Sequence, residues 1–257
     1  MSEIGPQQGS LRIDGISKAY VSGDRKGGSA LVFDHFSVDV RCGEITAILG
    51  PTGCGKSTLL GIIAGIIVAD EGSVRYSCGR TRLRFGLMPQ RDALFPWRTV
   101  RKNARLGLEL SGRSRLNGGE VDSLLSRLGL EPYADCYPSE LSGGMRQKVS
   151  FARTLTLNPE FLLLDEPFAS IDFHQRLDLE EYCVSWTRKN TEGAILVTHD
   201  VEHAIAMADR VLVLSGKPAT IVEDFGVTLG SAERKPLEVR GHREFAGYLQ
   251  RVREAMR

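Results

Sequence analysis

The sequence predicts an α/β fold: a buried parallel sheet, an antiparallel β edge near the N-terminus, and a helical lobe inserted at about residues 92 to 157. Two fully apolar runs, Phe161 to Leu164 and Ala194 to Val197, have an amphipathic helical stretch between them. Short strands that are apolar throughout and alternate with helices are what a sheet covered on both faces requires. Up to Leu49 the chain carries β-branched and apolar segments separated by polar or Gly-rich turns, and from Thr99 the apolar residues recur at helical spacing.

Leu11 to Tyr20, Val32 to Val40 and Ile45 to Leu49 read as strands, with Ser22 to Ser29 a hairpin loop carrying Gly23, Gly27 and Gly28. A glycine loop then leads into a helix from Lys56 to about Ile67, and Arg84 to Met88 is a further strand. Thr99 can cap a helix that runs to about Leu110 and ends at Gly112. Val121, Leu124, Leu125 and Leu128 recur at helical spacing before Gly129, and Ser142 opens another helical stretch to about Leu157. Beyond about Ser215 a strand is expected at Ala219 to Val222 and a helix at about Arg243 to Met256, with the arginines of this region on a solvated face.

A chain of 257 residues can bury the core of one large domain, or of one domain with a lobe. A net charge of +1 leaves no basic field of the kind that marks a nucleic-acid binder. Five cysteines, Cys42, Cys54, Cys78, Cys136 and Cys183, form no C-x-x-C pair, and no histidines stand at ligand spacing; reduced thiols in a cytosolic protein are expected. Met1 to Ser10 lacks the basic and apolar regions of a secretory signal. The longest apolar stretch, Leu59 to Ala69, is about half of the roughly 20 residues a membrane-spanning helix needs. The chain is therefore not expected to cross a bilayer, and any membrane step falls to separate subunits.

Gly50-Pro51-Thr52-Gly53-Cys54-Gly55-Lys56-Ser57-Thr58 lies between a strand and a helix, the context in which G-x-x-x-x-G-K-[ST] is a Walker A phosphate loop. Gly53 and Gly55 let successive N–H groups turn inward around phosphate oxygens, and the following helix N-terminus adds partial positive charge. In this pattern Lys56 reaches the β- and γ-phosphates of ATP and Ser57 holds Mg²⁺. A chance match arises in roughly one chain of this length in a hundred, and the strand and helix at its flanks make chance rarer still. Downstream, Phe161 to Leu164 deliver Asp165 and Glu166 to the C-terminal end of a buried strand, where open α/β sheets place their ligands. On its own this could be a charged turn after a core strand; downstream of a Walker A loop it resembles Walker B, which implies that Asp165 holds Mg²⁺, directly or through water, and that Glu166 polarises the attacking water as general base.

Ahead of that acidic pair stands Leu-Ser-Gly-Gly-Met-Arg-Gln, Leu141 to Gln147. In isolation such a run is a plain helix cap. In this order, with Leu162 to Pro167 following, it resembles the signature of ATP-binding-cassette (ABC) ATPases, and the resemblance covers nearly the whole chain. It implies a P-loop NTPase (RecA-like) core with an antiparallel β subdomain and an inserted helical subdomain. Residues of about 10–91 and 158–215 would form the core and β subdomain, 92–157 the helical subdomain, and 216–257 a short C-terminal extension. It also implies that Gln90 senses Mg²⁺ and the γ-phosphate, and that His199 is the switch histidine on the γ-phosphate. Ser142, Gly143 and Gly144 would close over ATP held by a second ATPase subunit, giving a head-to-tail dimer with two composite sites linked through Asp172. Met145, Lys148 and Ile171 depart from the commonest residues of the family. Tyr20, near the end of the first strand, matches the aromatic ring that stacks on adenine; simple packing is the alternative.

Asp92-Ala93-Leu94-Phe95-Pro96-Trp97-Arg98 follows Gln90, and Pro96 keeps it out of a regular helix. This apolar loop is either a docking surface for a partner helix or a segment that buries Trp97 under the helical lobe. Leu94 to Leu110 resembles the ATPase subunits of nitrate, sulfonate and taurine importers. That resemblance implies the ATP-hydrolysing subunit of a bacterial importer at the cytoplasmic face of the membrane. Its partners would be a second ATPase subunit, two transmembrane permease subunits and an external substrate-binding protein, with no nucleic acid. The rival readings are a soluble non-transport ABC ATPase, which usually carries two cassettes or a coiled-coil insertion, and a regulatory cassette without turnover, against which Glu166 and His199 argue.

Overall fold

The computed structural model describes residues 9–21, 29–76, 83–110, 118–230 and 234–256. The expected loop from Ser22, the helix stop at Gly112, Cys78 and most of the segment from Met1 to Ser10 lie outside the described residues. In chain order the elements are β1 (Ser10–Val21), β2 (Ser29–Arg41), β3 (Ile45–Leu49), α1 (Lys56–Ile63), β4 (Glu71–Tyr76) and β5 (Phe85–Met88). The helices α2 (Val100–Leu110), α3 (Gly118–Arg127) and α4 (Gly143–Thr156) follow. Then come β6 (Phe161–Asp165), α5 (Phe173–Asn190), β7 (Ala194–Val197), α6 (Val201–Met207), β8 (Arg210–Ser215), β9 (Thr220–Gly226), α7 (Pro236–Arg240) and α8 (Phe245–Ala255).

A six-stranded sheet in the order β5-β6-β7-β3-β8-β9 forms the core. Its first five strands are parallel, and β9 runs antiparallel to β8. Every residue of β3, β6 and β7 is buried, as expected for strands with neighbours on both sides and helices on both faces. Because β5, β6, β7, β3 and β8 are parallel, their C-terminal ends meet at one edge of the sheet. That edge gathers Gln90, Asp165, Glu166, His199 and the Gly50–Thr58 loop from distant parts of the sequence. The second sheet, β2-β1-β4, is antiparallel, and α2, α3 and α4 pack together as the helical lobe.

Several elements differ from the sequence expectation: α6 and α7 have no counterpart in it, and β9 runs on to Gly226 rather than ending at Val222. Helix α1 ends at Ile63 rather than about Ile67. The Gly61 carbonyl accepts from both Ile66 and Ile67, Gly65 is left-handed at φ 72°, and the Ile67 side chain folds back to fill the space beside Gly61. The strands β4 and β8 have no counterpart in the sequence reading. β4 is a half-exposed edge strand without apolar alternation, whereas Val211 to Leu214 of β8 are entirely buried between β3 and β9.

Of the C-terminal arginines, Arg234 and Arg240 correct the expectation of a solvated face, whereas Arg251 and Arg253 are exposed as expected. Arg234 is 3% exposed and donates to the carbonyls of Ile205 (2.8 Å), Ala206 (3.3 Å) and Val227 (3.1 Å). It thereby satisfies carbonyls that the end of α6 leaves free; burial lowers its pKa to about 10, with Asp209 opposing. Arg240 NH2 donates to Glu180 Oε1 at 3.0 Å while NH1 lies 2.6 Å from Oε2. Glu180 is fully buried, and burial pushes its carboxyl up against the pull of Arg240 and Arg176. Arg243 does lie on a solvated face. The C-terminal segment is thus bolted by charged groups onto α5 and α6.

Candidate nucleotide site

The loop between β3 and α1 is held open by its own packing. Gly53 and Gly55 adopt φ of 80° and 111°, which L side chains rarely take. A Cβ on Gly55 would lie 2.4 Å from Val32 Cγ1 and 2.9 Å from Phe33 Cζ, so only glycine lets the loop rest on β2. Cys54 turns the other way, into the core, where it is 1% exposed. Lys56 Nζ donates to the carbonyls of Gly50 (2.7 Å) and Pro51 (2.9 Å), which fixes the ammonium inside the loop.

The acidic pair stands opposite. Asp165 is hydrogen-bonded to the Ser57 side chain; burial pushes its carboxyl up, while Ser57 and Lys56 pull it down. Glu166 takes a left-handed backbone at φ 48°. A non-glycine residue there costs on the order of 1–3 kcal/mol and persists only where the surroundings hold it. The hold is visible: Glu166 N donates to Val197 O at 2.9 Å, its Oε1 lies 2.7 Å from His199 Nδ1, and Thr198 Oγ1 donates to Oε2 at 3.3 Å. The carboxylate is buried, whereas the His199 side chain is 71% exposed. Histidine therefore bridges the buried carboxylate and the open edge.

These groups line one cleft of about 510 Å³. Thr52, Gly53, Gly55, Lys56, Ser57 and Thr58 come from the loop, with Gln90, Asp165, Glu166 and His199 across from them and Tyr20 at the rim. Tyr20 is 42% exposed, with Lys18 Nζ 5.6 Å from its ring centroid. Gly50, Pro51 and Cys54 belong to the loop but do not line the cleft. Two further liners were not picked out from the sequence: Val32, one residue of an ordinary strand, and Lys217, on the β8–β9 turn.

Ser142, Gly143, Gly144 and Asp172 are also absent from the cleft lining. Ser142 caps α4, its hydroxyl accepting from Met145 N at 3.2 Å. A Cβ on Gly144 would lie 3.0 Å from Ser170 O, and Gln147 Oε1 accepts from Ser170 N at 2.9 Å. Asp172 caps α5, accepting from Gln175 N at 3.1 Å. The signature and the Ser170–Asp172 segment thus form one packed unit, separate from Lys56 of the same chain.

The segment after Gln90 is tied to that unit. Arg146 Nε donates to Asp92 Oδ2 at 2.9 Å, and Arg153 donates to the carbonyls of Asp92 (2.9 Å) and Ala93 (2.7 Å). Trp97 is 71% exposed and tilts against Phe95 at 5.1 Å, which excludes burial under the helical lobe. The fully buried Asn103 of α2 presents this loop. It accepts from Phe95 N at 2.9 Å and donates to the carbonyls of Phe95, Arg98 and Thr99. An asparagine on a helical face gives no such signal in sequence.

A glycine loop embracing a lysine at the C-terminal edge of a parallel sheet, facing a buried acidic pair, marks the P-loop nucleoside triphosphatases. The family within that class follows from comparison: residues 33–169 match the ABC transporter model. An uncharacterised ABC transporter ATP-binding protein, YtlC of Bacillus subtilis, is 38% identical over 94% of each chain. The nitrate import ATP-binding protein NrtD of Synechocystis is 33% identical, covering 96% of this chain and 95% of its own. The taurine import ATP-binding protein TauB of Escherichia coli O157:H7 is 36% identical over 76% of this chain and 78% of its own. The dimeric structure of the cassette MJ0796 superimposes with a TM-score of 0.73 at 23% identity, covering 84% of this chain and 98% of that one. The chain belongs to the ABC transporter family and is an ATPase of that family.

Proposed function

We propose that this chain is the ATP-hydrolysing subunit of an importer, acting as a head-to-tail dimer on separate membrane-spanning subunits from the cytoplasmic face. The observation that carries the dimer is the separation of Lys56 from Ser142, Gly143 and Gly144. Each chain's cleft lacks a signature, and a facing copy supplies one at a helix N-terminus suited to phosphate. Import is supported by the relatives named as nitrate and taurine import ATP-binding proteins, and by the exposed Trp97, which rests on the half-buried Phe95 in the segment after Gln90. The substrate proposed is of the nitrate, sulfonate or taurine type, delivered by an external binding protein. No helix among the described residues is long and apolar enough to cross a membrane, so transport would run through partner subunits.

Tyr20 would stack on adenine, and the N–H groups of the Gly50–Thr58 loop, with Lys56, would hold the phosphates. The donors present fit Mg²⁺: Ser57 and Asp165 are already hydrogen-bonded hard oxygens, and Gln90 lines the same cleft. No group of three or more His, Cys, Asp and Glu suited to a metal occurs among the described residues, so a one-carboxylate site shared with phosphate is the fitting arrangement. Bound there, Mg²⁺ would neutralise charge on the phosphate oxygens. Glu166 takes the proton of the attacking water as the water oxygen bonds to the γ-phosphorus and the bond to the β–γ bridging oxygen breaks. His199 orients Glu166 and reaches toward the γ-phosphate, and Lys56 stabilises charge on the leaving ADP.

Glu166→Gln keeps the size of the side chain but cannot take the proton. It is expected to bind ATP, to slow turnover by about 10²–10⁴-fold, and to elute as a dimer when ATP is present. Wild-type turnover refutes the base; an ATP-bound monomer refutes the dimer. Copurification of the full chain with membrane-spanning subunits supports transport, and a soluble partner alone refutes it.

A further inference from the structure

Two ammonium groups line the cleft, and the Walker A pattern accounts for only one. Lys217 stands on the four-residue turn between β8 and β9. That turn is built against the phosphate loop. Leu214 O, at the end of β8, lies 2.8 Å from where a Cβ on Gly50 would sit, so the start of the loop rests on the start of the turn. On its far side, Ala219 N donates to Val32 O at 2.8 Å, and Val32 itself lines the cleft. Ser215 Oγ and Thr220 Oγ1 close the neck at 3.1 Å, and Ala219 is 2% exposed. A turn pinned at both ends and at its neck carries its lysine to a defined place. Lys217 Nζ reaches to 3.7 Å from the Cβ position of Gly53, whose left-handed backbone lines the cleft.

We infer that Lys217 is a nucleotide-binding residue, contacting the phosphate chain from the side of Gly53 while Lys56 holds it from within the loop. The chemistry is charge on charge. An exposed lysine pays entropy to hold one geometry, but a pinned turn confines its backbone, and the anionic chain in this cleft meets it beside fixed N–H donors. The contact is made to phosphates common to ATP and ADP, so Lys217 is expected to serve affinity for both.

The inference rests on the nucleotide cleft proposed above and not on the importer reading. Titration of the full chain with a fluorescent ADP and Mg²⁺ tests it. Lys217→Met is expected to weaken binding about tenfold, equivalent to about 1.4 kcal/mol, with the deficit narrowing at high KCl because salt screens an exposed charge. Lys217→Arg is expected to retain most of the affinity. Lys56→Ala is the control that separates the two readings. If Lys56→Ala loses binding while Lys217→Met binds as wild type at low salt, the Lys217 inference is overturned and the cleft stands. If Lys56→Ala also binds as wild type, the cleft is wrong and the inference falls with it. A loss in Lys217→Met that Lys217→Arg shares in full, at unchanged thermal stability, also overturns the charge contact.

Discussion

Arg240→Met tests whether the C-terminal segment is bolted to the ATPase core by buried charge. Glu180 is 0% exposed, and the substitution removes both guanidinium contacts, at 2.6 and 3.0 Å, leaving Arg176 Nε at 3.8 Å as the cation still paired with it. Breaking one partner of a buried pair costs about 3–5 kcal/mol. The stranded carboxyl can instead take up a proton, which caps the cost at about 1.4 kcal/mol per pH unit above an unfolded pKa of about 4.3. That cap is about 4.4 kcal/mol at pH 7.5 and about 1.6 kcal/mol at pH 5.5. The sign follows from burial, which already raises this carboxyl in the folded state. A raised folded pKa gives stability that is full below the unfolded pKa and lost as pH rises through the folded one. The deficit of Arg240→Met should therefore grow with pH. With an unfolding entropy of about 2.1 cal/mol/K per residue, a loss of about 3–4 kcal/mol lowers Tm by about 6 °C at pH 7.5. Thermal unfolding at the two pH values is the assay, and Glu180→Met with Arg240→Met should recover most of the loss. A Tm within a degree of wild type at pH 7.5, or a deficit equal at both pH values, would refute the reasoning.

Gly55→Ala would place a methyl 2.4 Å from Val32 Cγ1 in a left-handed backbone. Overpacking and the wrong hand together cost about 2–4 kcal/mol, so a lowered Tm with lost nucleotide binding is expected, and normal melting with normal ADP affinity contradicts it. His203 is held neutral, its pKa lowered to about 3 by burial, with Arg240, Arg176 and His199 adding to the effect and Asp200 opposing. Glu180 Oε1 lies 3.8 Å from its Nε2, yet that carboxylate is already claimed by Arg240. A lowered folded pKa gives stability that is present above about pH 6.5 and lost as pH falls, by at most about 1.4 kcal/mol per pH unit. The stability difference between wild type and His203→Gln should thus shrink from pH 7 to pH 5, and a constant difference in chemical denaturation would show that the ring takes up its proton in the fold as readily as in the unfolded chain, refuting the burial effect.

The phosphate loop and the acidic pair were legible because their chemistry is local. The spacing of Gly53, Gly55, Lys56 and Ser57 places them on one strand–loop–helix unit, and an apolar run that forms a buried strand places Asp165 and Glu166 at its end, all of them lining one cleft. Val211 to Leu214 is as apolar as that run, yet β8 went unread because no motif follows it. The early end of α1 depends on Ile67 folding back over Gly61, a contact that no periodicity encodes. Arg234 and Arg240 depart from the expected solvated face for a different reason: charge in sequence implies solvent, which holds for Arg243, Arg251 and Arg253, and only buried acceptors such as Glu180 and the α6 carbonyls reverse it.

By itself the sequence determined the chemistry this chain can perform, because residue type and short-range spacing decide which groups can cradle phosphate, bind a hard cation or accept a proton. Tertiary structure decided which of those groups share a site. Parallel strands brought Gln90, Asp165, Glu166 and His199 to one edge with Lys56, and the β8–β9 turn added Lys217 from the far end of the chain. The same packing kept Ser142, Gly143 and Gly144 away, held by Ser170 and Ile171 against another face. Proximity across the sheet is set by strand order and burial, not by distance along the chain.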